Sequence, residues 1–94
     1  MKILLIAATE LEIAPTRAHL QRHCTELVPG QFVRGQLEID VLITGVGLPL
    51  AAYALGRQLA RYQYDLLIQA GVAGAIDPTL KLGEVVEVVS DCFA

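Results

Sequence analysis

Ninety-four residues fit one domain and leave no room for two, and 54% of them are hydrophobic, above the roughly 45–50% of average usage. The formal charge is -3 and the seven Lys and Arg residues are scattered, which argues against a nucleic-acid partner, since that needs a basic stripe. No run reaches the ~18–20 apolar residues of a membrane span, and the first apolar run is strand-length, unlike a signal peptide, so a cytoplasmic protein without membrane contact is expected.

In chain order, residues 2–8 read as a buried strand that ends in small residues and then the carboxylates Glu10 and Glu12. Residues 10–23 suit a helix, with Leu11, Ala14 and Ala18 at spacings of three and four. His19, Arg22 and His23 fall late in it, where positive charge suits a helix C-terminus. Pro29-Gly30 is a turn signal, followed by two consecutive strands over 31–37 and 38–44. Gly45-Val46-Gly47 opens a second helix with Pro49 in its first turn and an apolar stripe of Leu48, Ala51, Ala52, Leu55 and Leu59. A strand over 65–70 runs into Gly71-Val72-Ala73-Gly74, Asp77-Pro78 marks a turn, and a last strand is expected over 84–89.

Helices alternating with buried strands imply an α/β fold with parallel pairing through right-handed crossovers. A chain this apolar is expected to bury nearly all its strands. It stops soon after a strand with no helix to cover it, so residues 1–94 read as the N-terminal portion of one longer α/β domain.

Three segments carry chemistry, each after an apolar strand: residues 8–12, Thr44-Gly45-Val46-Gly47 and Gly71-Val72-Ala73-Gly74. If their strands are parallel neighbours, all three meet at the C-terminal edge of the sheet, where open α/β sheets bind ligands. Glycines there let backbone approach a flat or phosphate-bearing ligand, and a carboxylate there can act as a general base. Gly45-Val46-Gly47 lacks the third glycine of a dinucleotide fingerprint and has no Walker Lys-Ser/Thr.

Each segment also has a structural reading. Thr9-x-x-Glu12 matches a helix capping box, with Glu12 reaching back to the Thr9 N–H. Pro15 would then fall past the first turn, which favours a later helix start and a Glu12 that points elsewhere. Gly45 and Gly47 can be turn residues alone. His19 and His23 are one helical turn apart but lack an evident third metal ligand, and Cys24 and Cys92 form no metal-spaced cluster. No metal or cofactor is implied, and both cysteines are expected as reduced thiols. Arg57 and Arg61 read as a solvated helix face.

These segments, in this order, resemble the nucleoside phosphorylase/nucleosidase superfamily, in particular its hydrolytic branch. The resemblance runs from Met1 to about Asp91. It is carried by residues 7–12, by Thr44-Gly45-Val46-Gly47, by residues 70–75, and by the strand entry at 80–86. It implies the N-terminal part of a three-layer α/β/α nucleoside phosphorylase-like fold with a mixed, mostly parallel sheet. It also implies that Glu12 deprotonates the water attacking the anomeric carbon of a nucleoside, while Ala8, Val46, Val72, Ala73 and Gly74 line the ribose and base pocket. Phosphorylase relatives place a Gly-Asp-Pro-x-Arg phosphate loop after the first strand. That segment is missing here, so hydrolysis is expected rather than phosphorolysis.

Within the branch, residues 7–15 are most similar to the opening of futalosine hydrolase, an enzyme of menaquinone biosynthesis. Val72 stands where methylthioadenosine/S-adenosylhomocysteine nucleosidase has a serine. That nucleosidase is the alternative, and a non-catalytic nucleotide-binding fragment is a third. The resemblance places the ribose-binding Met-Glu segment and the acid that protonates the leaving base beyond these residues, so the chain alone is expected to be inactive. Its expected partners are a small-molecule nucleoside and a second copy, in a homodimer or larger homo-oligomer.

Overall fold

The structure, a computed structural model, describes residues 1–71, 79–80 and 83–89. Its elements are β1 (Lys2–Ala7), α1 (Glu10–His23), β2 (Thr25–Val28), β3 (Gln31–Arg34), β4 (Leu37–Ile43), α2 (Leu48–Arg61) and β5 (Leu66–Gln69). The five strands form one mixed sheet in the order β2-β3-β4-β1-β5.

The sheet has two parts with different origins. β2, β3 and β4 are an antiparallel meander, turned at Pro29-Gly30 and again at Gly35-Gln36. β1 lies between β4 and β5 and pairs with both in parallel, with Ala7 opposite Ile43 and Ile6 opposite Gln69. Parallel strands need crossovers: α1 with the β2-β3 hairpin leads from β1 to its neighbour β4, and α2 carries the chain from β4 past β1 to β5.

The two helices take opposite faces of the sheet. Ile13 of α1 packs with Leu5 and Ala7 of β1 and with the half-buried Ile39, Val41 and Ile43 of β4. Successive strand residues point to opposite faces, so Leu4, Ile6, Asp40 and Leu42 turn the other way. On that side Gln58 of α2 bonds Tyr64, which in turn bonds Asp40. The best-buried large side chains are Phe32, Leu4 and Ile13. Each contributes about 1.5–3 kcal/mol by leaving water.

Several expectations are corrected. α1 covers the predicted 10–23, but its buried residues are Ile13 and Leu20, while Leu11 is 88% exposed and Ala14 and Ala18 are not buried. Apolar residues are spread around α1, and the spacing from Leu11 picked a face that turns away from the sheet. α2 has a half-buried face of Ala51, Ala54, Leu55 and Gln58, whereas Leu48 and Leu59 of the expected stripe are exposed. β2 was not anticipated. It is an edge strand with all four residues exposed, held by its ladder to β3 and lacking the burial signal that marks a central strand.

Nor are the strands nearly all buried: β5, at the opposite edge, is exposed at all four residues. The expected strand over 84–89 is in none of the described strands, and Val85, Val86, Val88 and Val89 are exposed. Strand propensity fixes an extended tendency, but a ladder needs a partner edge.

Candidate active site

The parallel core brings the three predicted strand exits to one edge. Backbone bonds continue past the strand ends there: the Thr44 N–H donates to the Ala7 carbonyl at 2.9 Å, the Gly45 N–H to Ala8 at 3.1 Å and the Ala70 N–H to Ile6 at 2.9 Å. Ala8, Gly45 and Gly71 are thus neighbouring exits from β1, β4 and β5.

The second exit requires glycine. Gly45 has φ 87° and Gly47, the N-cap of α2, has φ 97°, a region where a side chain is strained. A Cβ on Gly45 would also stand 3.1 Å from the Leu50 Cδ1. Half-buried Ala8 lies beside this loop, while Val46 between the glycines is 71% exposed.

At the first exit the helix starts at Glu10 and Thr9 is its N-cap, so the later start that Pro15 suggested does not occur. Pro15 lies inside α1 and removes the bond to the Leu11 carbonyl. Leu11 is 88% exposed, and water can take that bond's place. The capping box is complete, with Thr9 and Glu12 as its two members. The Thr9 N–H donates to Glu12 Oε2 at 3.1 Å and the Thr9 hydroxyl stands 3.2 Å from the same oxygen.

Glu12 therefore does turn back on its own helix start, the arrangement set against a Glu12 that points elsewhere. Its two oxygens nevertheless look in different directions. Oε2 is held by Thr9, whereas Oε1 is the atom that a Cβ on Gly71 would meet, at 3.9 Å. The half-buried Glu12 thus stands at the first exit with one oxygen on the side of the third, at the positive end of the α1 dipole. Val72, Ala73 and Gly74, the other predicted lining residues, lie outside the described residues, as do Cys92 and Asp91.

Nearby, Arg17 forms an ion pair with Glu10 through Nε and Nη2, each on a different carboxylate oxygen. The His19 and His23 rings lie against each other at 4.3 Å between centroids, tilted by 38°. Among the described residues no group of three His, Cys, Asp or Glu side chains could hold a metal. In the same residues no helix is long and apolar enough to cross a membrane.

One polar cluster escaped the sequence reading. Asp40 is buried in β4, the Tyr64 hydroxyl donates to its Oδ2 at 2.6 Å, and Gln58 Nε2 donates to the Tyr64 oxygen at 2.7 Å. Burial, and then the bond to Asp40, push the Tyr64 phenol up to about 12. Lys2 Nζ sits 4.8 Å from the Tyr62 ring centre and 5.3 Å from that of Tyr64. An Asp in the middle of a strand was the available signal. Tyr64 precedes β5, at its start, so the cluster belongs to the opposite end of that strand from Gly71 and braces α2 against the sheet.

The sequence profile of the phosphorylase superfamily matches residues 2–91. A 5'-methylthioadenosine/S-adenosylhomocysteine nucleosidase of Tolumonas auensis is 40% identical over 90 residues, covering 92% of this chain and 39% of that protein. Proteins of the same name from Bacillus thuringiensis and Bacillus anthracis are 37% identical, with the same coverage. The chain thus spans about two fifths of the length of the curated relatives it matches. No solved structure matches. With a match over nearly all its residues and a parallel core that assembles the three exits, the chain belongs to the phosphorylase superfamily.

Proposed function

We propose that the protein carrying this chain hydrolyses the N-glycosidic bond of a purine-type nucleoside, with Glu12 as the base that activates water. The observation that carries the reading is the position of the Glu12 carboxylate, anchored at Thr9 and facing Gly71, where three strand exits meet. In the proposed step Glu12 takes a proton from water and the water oxygen bonds to the anomeric carbon. The bond to the base nitrogen breaks, and the departing base takes the electron pair. The sugar carbon passes through an oxocarbenium-like cation, which a nearby carboxylate stabilises. Protonation of the departing base is assigned to a part of the protein other than the described residues. Ala8 and Val46, with Val72, Ala73 and Gly74, are the proposed lining of the sugar and base pocket.

The proposed substrates are methylthioadenosine and S-adenosylhomocysteine, because the relatives described above carry those names. The preference for futalosine rested on residues 7–15 and Val72, and those relatives lend it no support. Supplying the intact protein with methylthioadenosine and with futalosine decides between them. Adenine release is expected, and hypoxanthine release from futalosine alone would overturn the substrate assignment. A subunit partner remains part of the proposal, as a homodimer or larger assembly, with sedimentation as its check.

A further inference from the structure

Resting on that reading, we infer that Thr9 is a positioning residue for the Glu12 carboxylate, beyond its role in starting α1. A helix cap requires only that the Thr9 side chain accept a bond from the third helical N–H. In the capping box the Thr9 N–H already donates to Glu12 Oε2, here at 3.1 Å, but the box does not require the further contact of 3.2 Å between the Thr9 hydroxyl and that same oxygen. Two contacts on Oε2, from a residue anchored between β1 and α1, fix the rotation of the carboxylate. That rotation sets Oε1 toward Gly71, which itself adds no side chain on that side. A Cβ there would come within 3.9 Å of Oε1. Each carboxylate oxygen has two lone pairs, so Oε1 can engage water beside any other contact it makes.

The two roles of Thr9 separate by chemistry. Thr9→Ser keeps the cap and the hydroxyl donor. Thr9→Asp keeps the cap, since Asp is among the preferred cap residues, but offers Glu12 no side-chain proton. Thr9→Ala loses both without adding charge. In the intact protein, with methylthioadenosine as substrate, Thr9→Ser is expected to retain most of kcat. Thr9→Asp and Thr9→Ala are expected to lose about 10–100-fold in kcat, the scale of a misplaced reacting group, with KM little changed. Thr9→Ala should melt earlier than wild type for want of a cap, and Thr9→Asp through repulsion between its carboxylate and that of Glu12. In a Glu12→Gln background neither change should lower kcat further.

If Thr9→Asp and Thr9→Ala keep wild-type kcat while Glu12→Gln abolishes it, Thr9 is a cap alone and the inference is overturned. If Glu12→Gln turns over normally, or the wild-type protein releases no adenine, the proposed function itself fails. The two failures are therefore distinguishable.

Discussion

Removing the Tyr64 hydroxyl tests the bracing of α2 on the sheet with a change of one atom. Tyr64→Phe keeps the ring, and with it the contact to Lys2 at 5.3 Å. Two bonds are lost. Gln58 is half-buried on α2 and can turn its amide to water, so that loss is small. Asp40 is only 6% exposed, and the bond it loses is a short one of 2.6 Å to its carboxylate. Hydrogen bonds to charged groups contribute about 1.5–3 kcal/mol, and a buried carboxylate left short of a donor sits at the upper part of that range. Urea unfolding should show a midpoint lowered by roughly 1–2 M with an unchanged slope. A double-mutant cycle with Asp40→Asn should return a coupling of at least about 1 kcal/mol. A Tyr64→Phe variant within about 0.5 kcal/mol of wild type would refute the reasoning, because surface changes alone stay in that range.

The same phenol makes stability pH-dependent, with a definite sign. Its folded value of about 12 lies above the ordinary value of 10.0, so its contribution is whole below pH 10 and is lost between about pH 10 and 12. Alkaline unfolding of wild type should steepen in that window, and Tyr64→Phe should flatten it. Gly45→Ala should cost about 1–2 kcal/mol in unfolding free energy, because φ 87° strains any side chain. Leu50 can turn its Cδ1 away from the added methyl, so the cost should not rise further. Gly71 carries no positive φ, so Gly71→Val should leave the unfolding midpoint nearly unchanged while lowering turnover by filling the space before Glu12. Glu10→Gln breaks an ion pair between an exposed carboxylate and a half-buried Arg17 and should shift stability by about 1 kcal/mol or less.

How much of this was legible in the sequence depends on what each signal reports. The bounds of α1 followed from the helical spacing of its apolar residues, and the meeting of the three exits from continuous apolar strands ending in small residues. The edge strand β5 carries the same apolar run although it is exposed, whereas the other edge strand, β2, carries none. β2 has four exposed residues and exists because β3 offers it a ladder, while residues 84–89 have the composition of a strand and are in none of the described ones. Helix faces were misread for a related reason. Leu11 and Ile13 are equally apolar, and only the docking of α1 on Leu5 and Ala7 decides that Ile13 is inside. At the candidate site, Thr9-x-x-Glu12 supported either a cap or a base. The structure shows the cap and leaves the other oxygen of Glu12 facing Gly71, a division of labour that residue spacing does not encode. Asp40, Gln58 and Tyr64 lie apart in sequence, and the Asp in mid-strand is the one local signal of the cluster.

The most direct test of the account is turnover of methylthioadenosine by a Glu12→Gln variant of the intact protein, measured beside binding of the same nucleoside. The amide oxygen that this change introduces can still accept a bond from Thr9, so the fold should stand and the nucleoside should bind. Loss of a general base should lower kcat about 10²–10⁴-fold. Adenine release at the wild-type rate, with binding intact, would contradict the account.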